Sequence, residues 1–158
     1  MTMNMKRRLF LKGTVAASAA GVALSAGVLI PGQVLAAWPK AAFETKDFAG
    51  AMEALLGGNE AADSTEITIK APEIAENGAV VPVTVSSDME GIESISIFAP
   101  NNPAPLIATF VLGTGAVGFA ATRIKMGKTG DVIGIVKAGG KLHKAAKEVK
   151  VTIGGCGG

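Results

Sequence analysis

Aromatic residues are scarce in this sequence: they make up 4% of its 158 residues, and tyrosine is absent. A core without them must be filled by valine, isoleucine, leucine and alanine, and the branched members of that set favour β-structure. Proteins that bind nucleic acid usually combine a clustered basic surface with aromatic side chains that stack on bases. The shortage of aromatics therefore argues against nucleic-acid binding.

Histidine and cysteine are equally scarce, with one of each, His143 and Cys156. Two such residues are too few for a metal or haem site held by this chain alone. We therefore expect no metal and no cofactor in the protein itself.

The first 36 residues have the three parts of an export signal: a basic head, an apolar run from Thr14 to Ile30, and small residues before a cleavage point. Five residues of the head match every specified position of the twin-arginine motif: Arg7, Arg8, Phe10, Leu11 and Lys12. We predict that residues 1–36 are removed, after Ala36 or alternatively Ala37, and that the mature protein is periplasmic without stable membrane association. The alternative is a membrane anchor, for which the apolar run is at the lower length limit.

The twin-arginine route carries folded proteins, so either a cofactor or a partner chain would be in place before export. With one histidine and one cysteine, a travelling partner is the better inference. Four of the 15 basic residues lie in the leader, so 11 remain against 13 acidic ones. The exported part is therefore near neutral and slightly acidic.

A short amphipathic helix is predicted over Asp47–Leu56, where apolar residues recur at helical spacing and Gly57-Gly58 supplies a left-handed stop. Its apolar stripe either packs on the domain core or docks on a partner chain. From residue 66 onward the apolar residues alternate, and turn residues separate seven short runs: 66–70, 80–86, 92–98, 106–111, 119–126, 131–137 and 148–153.

Seven short strands at this spacing predict an all-β fold, an immunoglobulin-like antiparallel β-sandwich with the helix at its N-terminal side. The domain is expected to cover residues 37–153. Pro82 suggests an edge strand or a bulge in the second run. Residues 141–147 favour helix by composition, but a strand returning from the Gly139-Gly140 turn suits the topology better. The loop 100–105 is either a rigid turn or a docking element.

Basic residues gather towards the end of the chain. Residues 123–150 hold eight bases against Asp131 and Glu148. One interpretation is that the lysines of this region favour an anion carried on the cysteine or steer an acidic partner, and they are Lys137, Lys141, Lys144, Lys147 and Lys150. The other is a solvated hairpin whose lysines protect a sheet edge.

The only cysteine, Cys156, is flanked by glycines, namely Gly154, Gly155, Gly157 and Gly158. Cysteines of exported proteins usually occur as disulfide pairs, and this one has no partner in its own chain. Glycines leave the backbone free and the sulfur uncrowded, and three extended residues span about 10 Å beyond Ile153. We predict that residues 154–158 are a flexible arm that presents a thiol.

A catalytic pair of Cys156 with His143 is disfavoured, because a nucleophile needs a base held rigidly beside it. A covalent dimer through Cys156 is conceivable as a side state or resting form.

Together, the terminal GGCGG, the twin-arginine leader, the helix DFAGAMEALLGG and the β-rich body resemble the SoxY family of sulfur carriers over essentially the whole chain. The resemblance implies covalent attachment of thiosulfate-derived sulfur to Cys156 and a carrier subunit that is not an enzyme. It also implies a SoxZ-like partner chain, a SoxAX-like haem complex that couples thiosulfate to the thiol, a SoxB-like manganese-dependent hydrolase that releases sulfate, and in some organisms a SoxCD-like sulfur dehydrogenase.

Three other hypotheses remain at this stage. A ubiquitin-like carrier would hold sulfur as a thiocarboxylate on the terminal Gly157-Gly158, but it would need activation by ATP in the cytoplasm. A non-catalytic binding or adhesion module would have an incidental cysteine, or one used for an intermolecular disulfide. A periplasmic thiol enzyme would turn over substrate alone. Each leaves the placement of Cys156 unexplained.

Overall fold

The computed structural model describes residues 39–153, which belong to one compact unit. Within this range there are two helices, α1 (Lys40–Glu44) and α2 (Phe48–Leu56), and nine strands. The strands are β1 (Ala62–Asp63), β2 (Ile67–Lys70), β3 (Ile74–Ala75), β4 (Val81–Ser87), β5 (Ile92–Phe98), β6 (Leu106–Val111), β7 (Phe119–Ile124), β8 (Gly130–Ala138) and β9 (Lys141–Val151). The predicted all-β sandwich is confirmed.

The predicted helix is confirmed together with both of its ends. The Asp47 carboxylate accepts a hydrogen bond of 2.7 Å from the Gly50 amide and so caps the first turn. Gly57 ends the helix in the left-handed conformation with φ of 73°, which a residue with a side chain adopts at a cost. Local sequence therefore determines where α2 begins and ends.

The larger sheet has the strand order β1-β9-β8-β5-β6, with β3 also paired to β9. β8 and β9 form the predicted hairpin through Gly139 and Gly140, whose φ values of 55° and 73° suit a tight two-residue turn. Residues 141–147 therefore form a strand, and they run on without a break into the predicted seventh strand. The bridges β1 and β3 pair with β9 in parallel, so the sandwich is not purely antiparallel.

The smaller sheet has the order β2-β4-β7, and this arrangement changes the prediction for Pro82. β4 is the central strand, so the expected edge position is wrong for the strand as a whole. Pairing with β2 ends where Lys70 lies opposite Thr84, however, and Pro82 lies beyond that point. There the strand has only β7 beside it, with continuous register and no bulge, so the missing N–H of proline is tolerated.

Two apolar layers hold the domain together. Between the sheets, fully buried residues of β4 pack against those of β5 and β8, for example Val83 and Ile95. Alternate residues of the larger sheet face the other way, where Phe98 and Ile135 pack under the helices. Met52 of α2 is buried there, and the Phe48 ring meets that of Phe98 edge-on at 5.2 Å. The helical stripe thus packs on the domain core.

The strand registers define two ends of the sandwich. The arm end comprises the loops 71–80, 99–105 and 125–129 together with the last residues of β9. The turn end comprises the loops 88–91, 112–118 and 139–140. β9 runs between these ends over 11 residues, about 33 Å of strand.

Candidate functional site

The predicted attachment residue, Cys156, lies outside the described residues, as do its four flanking glycines, the export motif and the predicted boundary after Ala36. The description ends at Ile153, immediately before the predicted arm. The structure therefore shows the arm base, defined here as residues 150–153, from which residues 154–158 depart.

One side of the arm base is hydrogen-bonded to the loop that precedes β4. The Lys150 amide donates to the Glu73 carbonyl at 2.9 Å, and the Thr152 amide donates to the Ala75 carbonyl at 3.1 Å. The Thr152 hydroxyl also donates to a carbonyl of this loop, at 3.0 Å. Finally, the Gly78 amide donates to the Ile153 carbonyl at 2.8 Å. The chain is thus held up to its last described residue.

The other side of the arm base is held by the loop between β7 and β8. The Val151 amide donates to the Thr129 hydroxyl oxygen at 2.9 Å. The Asn101 side-chain amide in turn donates to the Thr129 carbonyl at 2.9 Å. Thr129 therefore connects the arm base to the loop 99–105.

Asn102 fixes the same two loops to each other. Its side chain donates to the Lys125 carbonyl at 2.6 Å and accepts from the Gly127 amide at 3.1 Å. The loop 100–105, predicted to be either a rigid turn or a docking element, is thus a hydrogen-bonded turn that stabilises the arm end.

The lysines that were candidates for favouring an anion on the thiol do not gather at the arm base. Lys137 and Lys141 lie at the turn end, and Lys137 is paired with Glu93 at 3.2 Å. Lys144 lies 3.9 Å from Asp63. Lys150 is exposed and belongs to the arm base. Sequence order alone gave no indication of this separation, because it depends on β9 being one long strand.

His143 is partly buried on β9, opposite Val136 and Ala62. Eight residues of extended strand separate it from Val151, about 27 Å. The five residues from Val151 to Cys156 span at most about 17 Å when fully extended. The geometry therefore argues against a pairing of His143 with the thiol of its own chain.

Two clefts lie at opposite ends of the domain. The larger, about 670 Å³, is at the turn end, and its lining includes Glu90 and Glu93. The smaller, about 350 Å³, is at the arm end between the start of β6 and the end of β7, and its lining includes Arg123 and Lys125. No sequence pattern marks these two cations as a site, because they approach the arm end only through the pairing of β7 with β4.

Within residues 39–153, no three His, Cys, Asp or Glu side chains cluster so as to hold a metal ion. No helix in this part of the chain is long and apolar enough to cross a membrane.

The fold and the arm base define a class: a small β-sandwich protein whose last strand is fastened at both sides immediately before a glycine-flanked cysteine. The family model "Sulfur oxidation protein SoxY" matches residues 52–156. The chain belongs to the SoxY family of sulfur carrier proteins.

The solved structure of the sulfur carrier protein SoxY from Chlorobium limicola f thiosulfatophilum is similar, with 48% sequence identity and a TM-score of 0.60. The alignment covers 65% of this chain and 94% of that chain. Superoxide reductase (neelaredoxin) from Ignicoccus hospitalis aligns at 22% identity with a TM-score of 0.48, covering 54% of this chain and 79% of the other. No curated protein sequence matches the chain.

Proposed function

We propose that this chain is a periplasmic carrier that holds thiosulfate-derived sulfur covalently on Cys156 and presents it to separate enzymes. The observation that carries the proposal is the family match, whose span reaches Cys156. The fastened arm base supports it, because a carrier arm needs a fixed point of departure as well as a free tip.

The first step of the cycle joins thiosulfate to the thiol. The Cys156 thiol and thiosulfate form a sulfur–sulfur bond, giving the S-thiosulfonate R–S–S–SO₃⁻, one proton and two electrons. The electrons require an external acceptor, and a SoxAX-like haem complex is the proposed one. This chain supplies the nucleophilic sulfur, which reacts as its thiolate.

The second step releases sulfate. Water attacks the terminal sulfonate sulfur, and the bond between the two outer sulfur atoms breaks. Sulfate and two protons are released, and the persulfide R–S–S⁻ remains on the carrier. A SoxB-like hydrolase is the proposed catalyst. A SoxCD-like dehydrogenase would remove six electrons from the persulfide and add three water oxygens, giving R–S–SO₃⁻, which hydrolysis converts to sulfate and the free thiol.

In this proposal the chain is a carrier subunit and holds no cofactor of its own. Tethering keeps labile anionic intermediates at high local concentration near each enzyme in turn. The reach of Cys156, about 10 Å beyond Ile153, would bring the sulfur into a recessed active site while the sandwich stays outside. A SoxZ-like partner chain would accompany the protein through the twin-arginine route, after which residues 1–36 are removed.

The test is intact mass spectrometry of the non-reduced protein from its native periplasm, with and without thiosulfate fed to the cells. We expect adducts of sulfur or thiosulfonate mass on the peptide that contains Cys156, removable by reductant. Cys156→Ser is the matched control and should carry none while keeping the native fold. A bare thiol or only a symmetric disulfide dimer under both conditions would contradict the carrier function and favour a binding module.

A further inference from the structure

We propose that Asn77-Gly78, in the loop that precedes β4, is a site of spontaneous deamidation that the arm base restrains. Conversion of Asn77 to aspartate and isoaspartate would release the last residue of the arm base and so lengthen the predicted arm. The reaction consumes water and proceeds without an enzyme. The inference goes beyond the proposed function, because it concerns the chemistry of this loop rather than that of Cys156.

Asn77 differs from the other asparagines of residues 39–153 in the residue that follows it. It precedes Gly78, whereas Asn59, Asn101 and Asn102 precede glutamate, asparagine and proline. Deamidation begins when the backbone nitrogen of the next residue approaches the side-chain amide carbon, and a glycine has no side chain to hinder that approach. Proline has no N–H to give up and so blocks the reaction. Local chemistry therefore selects Asn77.

The side chain of Asn77 is prepared for attack. It is exposed, and its Oδ1 accepts a hydrogen bond of 2.8 Å from the Ala79 amide, which forms a turn between side chain and backbone. This hydrogen bond draws electron density towards Oδ1 and stabilises the negative charge that develops there when a nucleophile adds to Cγ. The electrophile is thus activated in the folded state.

The nucleophile, by contrast, is blocked by the arm base. The attacking atom is the Gly78 nitrogen, which must first lose its proton, and its N–H donates to the Ile153 carbonyl at 2.8 Å. A hydrogen bond made by the protonated form disfavours loss of the proton. Gly78 is also buried, and its carbonyl accepts from the Met126 amide at 2.7 Å, so both of its backbone groups are held. Reaction therefore requires the arm base to open.

A few hydrogen bonds determine how readily the arm base opens on this side. Besides the bond from Gly78 to Ile153, the Thr152 hydroxyl donates to the Glu76 carbonyl at 3.0 Å. These bonds lie at the end of β9, where local opening costs less free energy than in the interior of a strand. Each opening frees the Gly78 nitrogen beside the activated carbonyl of Asn77. The rate at which Asn77 converts thus reports how often the arm base opens.

The atoms of the reaction balance with water alone. The Gly78 nitrogen bonds to Cγ of Asn77, the bond from Cγ to Nδ2 breaks, and ammonia leaves with the displaced proton, which gives a five-membered succinimide. Water then opens the ring at one of its two carbonyl carbons. Opening at Cγ gives aspartate with the normal backbone, and opening at the backbone carbonyl gives isoaspartate, whose backbone runs through Cβ and Cγ. No electrons pass to another molecule.

Isoaspartate at position 77 would remove the fixed point of the arm. It adds one carbon to the backbone immediately before Gly78, which displaces the Gly78 amide from the Ile153 carbonyl and the Gly78 carbonyl from the Met126 amide. Without the first of these bonds the arm begins at Ile153 rather than after it. Its reach then grows by one residue, about 3.5 Å.

The experiment follows residue 77 by peptide mass spectrometry. The purified full chain, with Cys156 alkylated, is incubated near neutral pH either folded or in concentrated guanidinium chloride. We expect Asn77 to convert at least about tenfold more slowly in the folded chain, because reaction there waits for local opening. Electron-transfer fragmentation should detect both aspartate and isoaspartate. Equal rates in the two conditions would overturn control by the arm base, and no conversion in guanidinium chloride would overturn the site itself.

A variant of the arm base tests the control directly. Thr152→Val removes the hydroxyl that donates to the Glu76 carbonyl, and Asn77 should convert about two- to tenfold faster in this folded variant. Thr114→Val is the matched control, because the Thr114 side chain forms no hydrogen bond among residues 39–153, and it should keep the unaltered rate. An unaltered rate in Thr152→Val would contradict the proposal.

Hydrogen exchange tests the consequence for the arm. The isoaspartate form, separated by chromatography, should exchange the Met126 amide faster than the unaltered chain. Asn77→Asp adds the charge without the extra backbone carbon and should have a smaller effect. Unchanged exchange at Met126 in the isoaspartate form would overturn release of the arm base. Because Cys156 is alkylated throughout, failure here leaves the carrier function standing, and a negative mass spectrum from cells leaves this result standing.

Discussion

The two ends of the sandwich are held together by different means. At the arm end, side chains of Asn101, Asn102 and Thr129 hydrogen-bond to the backbone of neighbouring loops. The turn end relies on glycines with positive φ, such as Gly91 and Gly139. Among residues 39–153 its loops make fewer bonds between side chain and backbone, one of them from the Gly140 amide to the Glu93 carboxylate. Side-chain hydrogen bonds specify where a loop lies, whereas glycine turns specify only how sharply the chain reverses.

The two ends also differ in charge and in exposed apolar surface. The cleft at the arm end presents Arg123 and Lys125, whereas the cleft at the turn end presents Glu90 and Glu93. Val111 and Val117 near the turn end are about four-fifths exposed. The arm end thus combines fixed last residues of β9 with exposed positive charge, whereas the turn end combines negative charge with exposed apolar side chains.

The largest expected loss of stability is for a side chain added at Gly118, where two backbone segments are in close contact at the turn end. A Cβ at Gly118 would collide with the Ser87 carbonyl oxygen, a backbone atom, and with the Ile92 side chain. The Gly118 carbonyl also accepts the Ser87 amide at 2.8 Å, so the two segments cannot move apart freely. We expect Gly118→Ala to lower the free energy of unfolding by about 1–3 kcal/mol, measured by urea denaturation.

Gly130→Ala at the arm end is the matched comparison. A Cβ there would meet the Asn101 side chain, which can rotate away at the cost of its bond to the Thr129 carbonyl. The expected loss is smaller, about 0.5–1.5 kcal/mol. If Gly130→Ala lowers the free energy of unfolding as much as Gly118→Ala or more, the Asn101 side chain at the arm end resists displacement as strongly as the Ser87 backbone does at the turn end.

A smaller and local effect is expected for Thr129→Val. Valine keeps the shape of threonine but removes the oxygen that accepts the Val151 amide. We expect the free energy of unfolding to fall by about 1 kcal/mol, and the Val151 amide to exchange its hydrogen faster than in the unaltered protein. The control is Thr114→Val in a turn-end loop, because the Thr114 side chain forms no hydrogen bond among residues 39–153. This variant should change neither the free energy of unfolding nor the hydrogen exchange at Val151. Unchanged exchange at Val151 would show that the arm base is held without Thr129.

Much of this architecture could be predicted from sequence, because it depends on local pattern. Period-two alternation identified the long strands, and Asp47 and Gly57 marked the ends of α2 because caps act through neighbouring residues. The glycines beside Cys156 predicted an arm from covalent structure alone. That arm stays a prediction, since it lies outside residues 39–153.

What the sequence did not predict depends on contacts between distant segments. The bridges Ala62–Asp63 and Ile74–Ala75 contain two residues each, too few for any periodicity to show. The position of Arg123 near the arm end depends on the register of β7 against β4. In the same way, the separation of Lys137 from the arm follows from the length of β9. Register between strands is a tertiary property, which single-strand patterns do not encode.

The smallest expected effect concerns the charge of Glu93 at the turn end. A bulge in β5 gives Glu93 no partner on β8, and its carboxylate accepts from the Gly140 amide at 2.8 Å and pairs with Lys137 at 3.2 Å. The Gly140 hydrogen bond, followed by Lys137, lowers the pKa of Glu93. A lowered folded-state pKa contributes stability that is present above the unfolded-state pKa and is lost as pH falls through the folded-state value.

Glu93→Gln should therefore be less stable than the unaltered protein near neutral pH, and the difference should shrink as pH falls below about 4.3, the ordinary pKa of glutamate. Urea denaturation at steps from pH 7 to pH 3 measures it, with Glu90→Gln as control, because Glu90 is exposed and forms no ion pair within residues 39–153. A difference that stays constant with pH would mean that the glutamine fits the turn poorly and that the charge of Glu93 contributes nothing. A difference that shrinks for Glu93→Gln alone would locate this electrostatic contribution at the Gly140 turn. The arm end differs, because its side-chain hydrogen bonds, made by Asn101, Asn102 and Thr129, join uncharged groups.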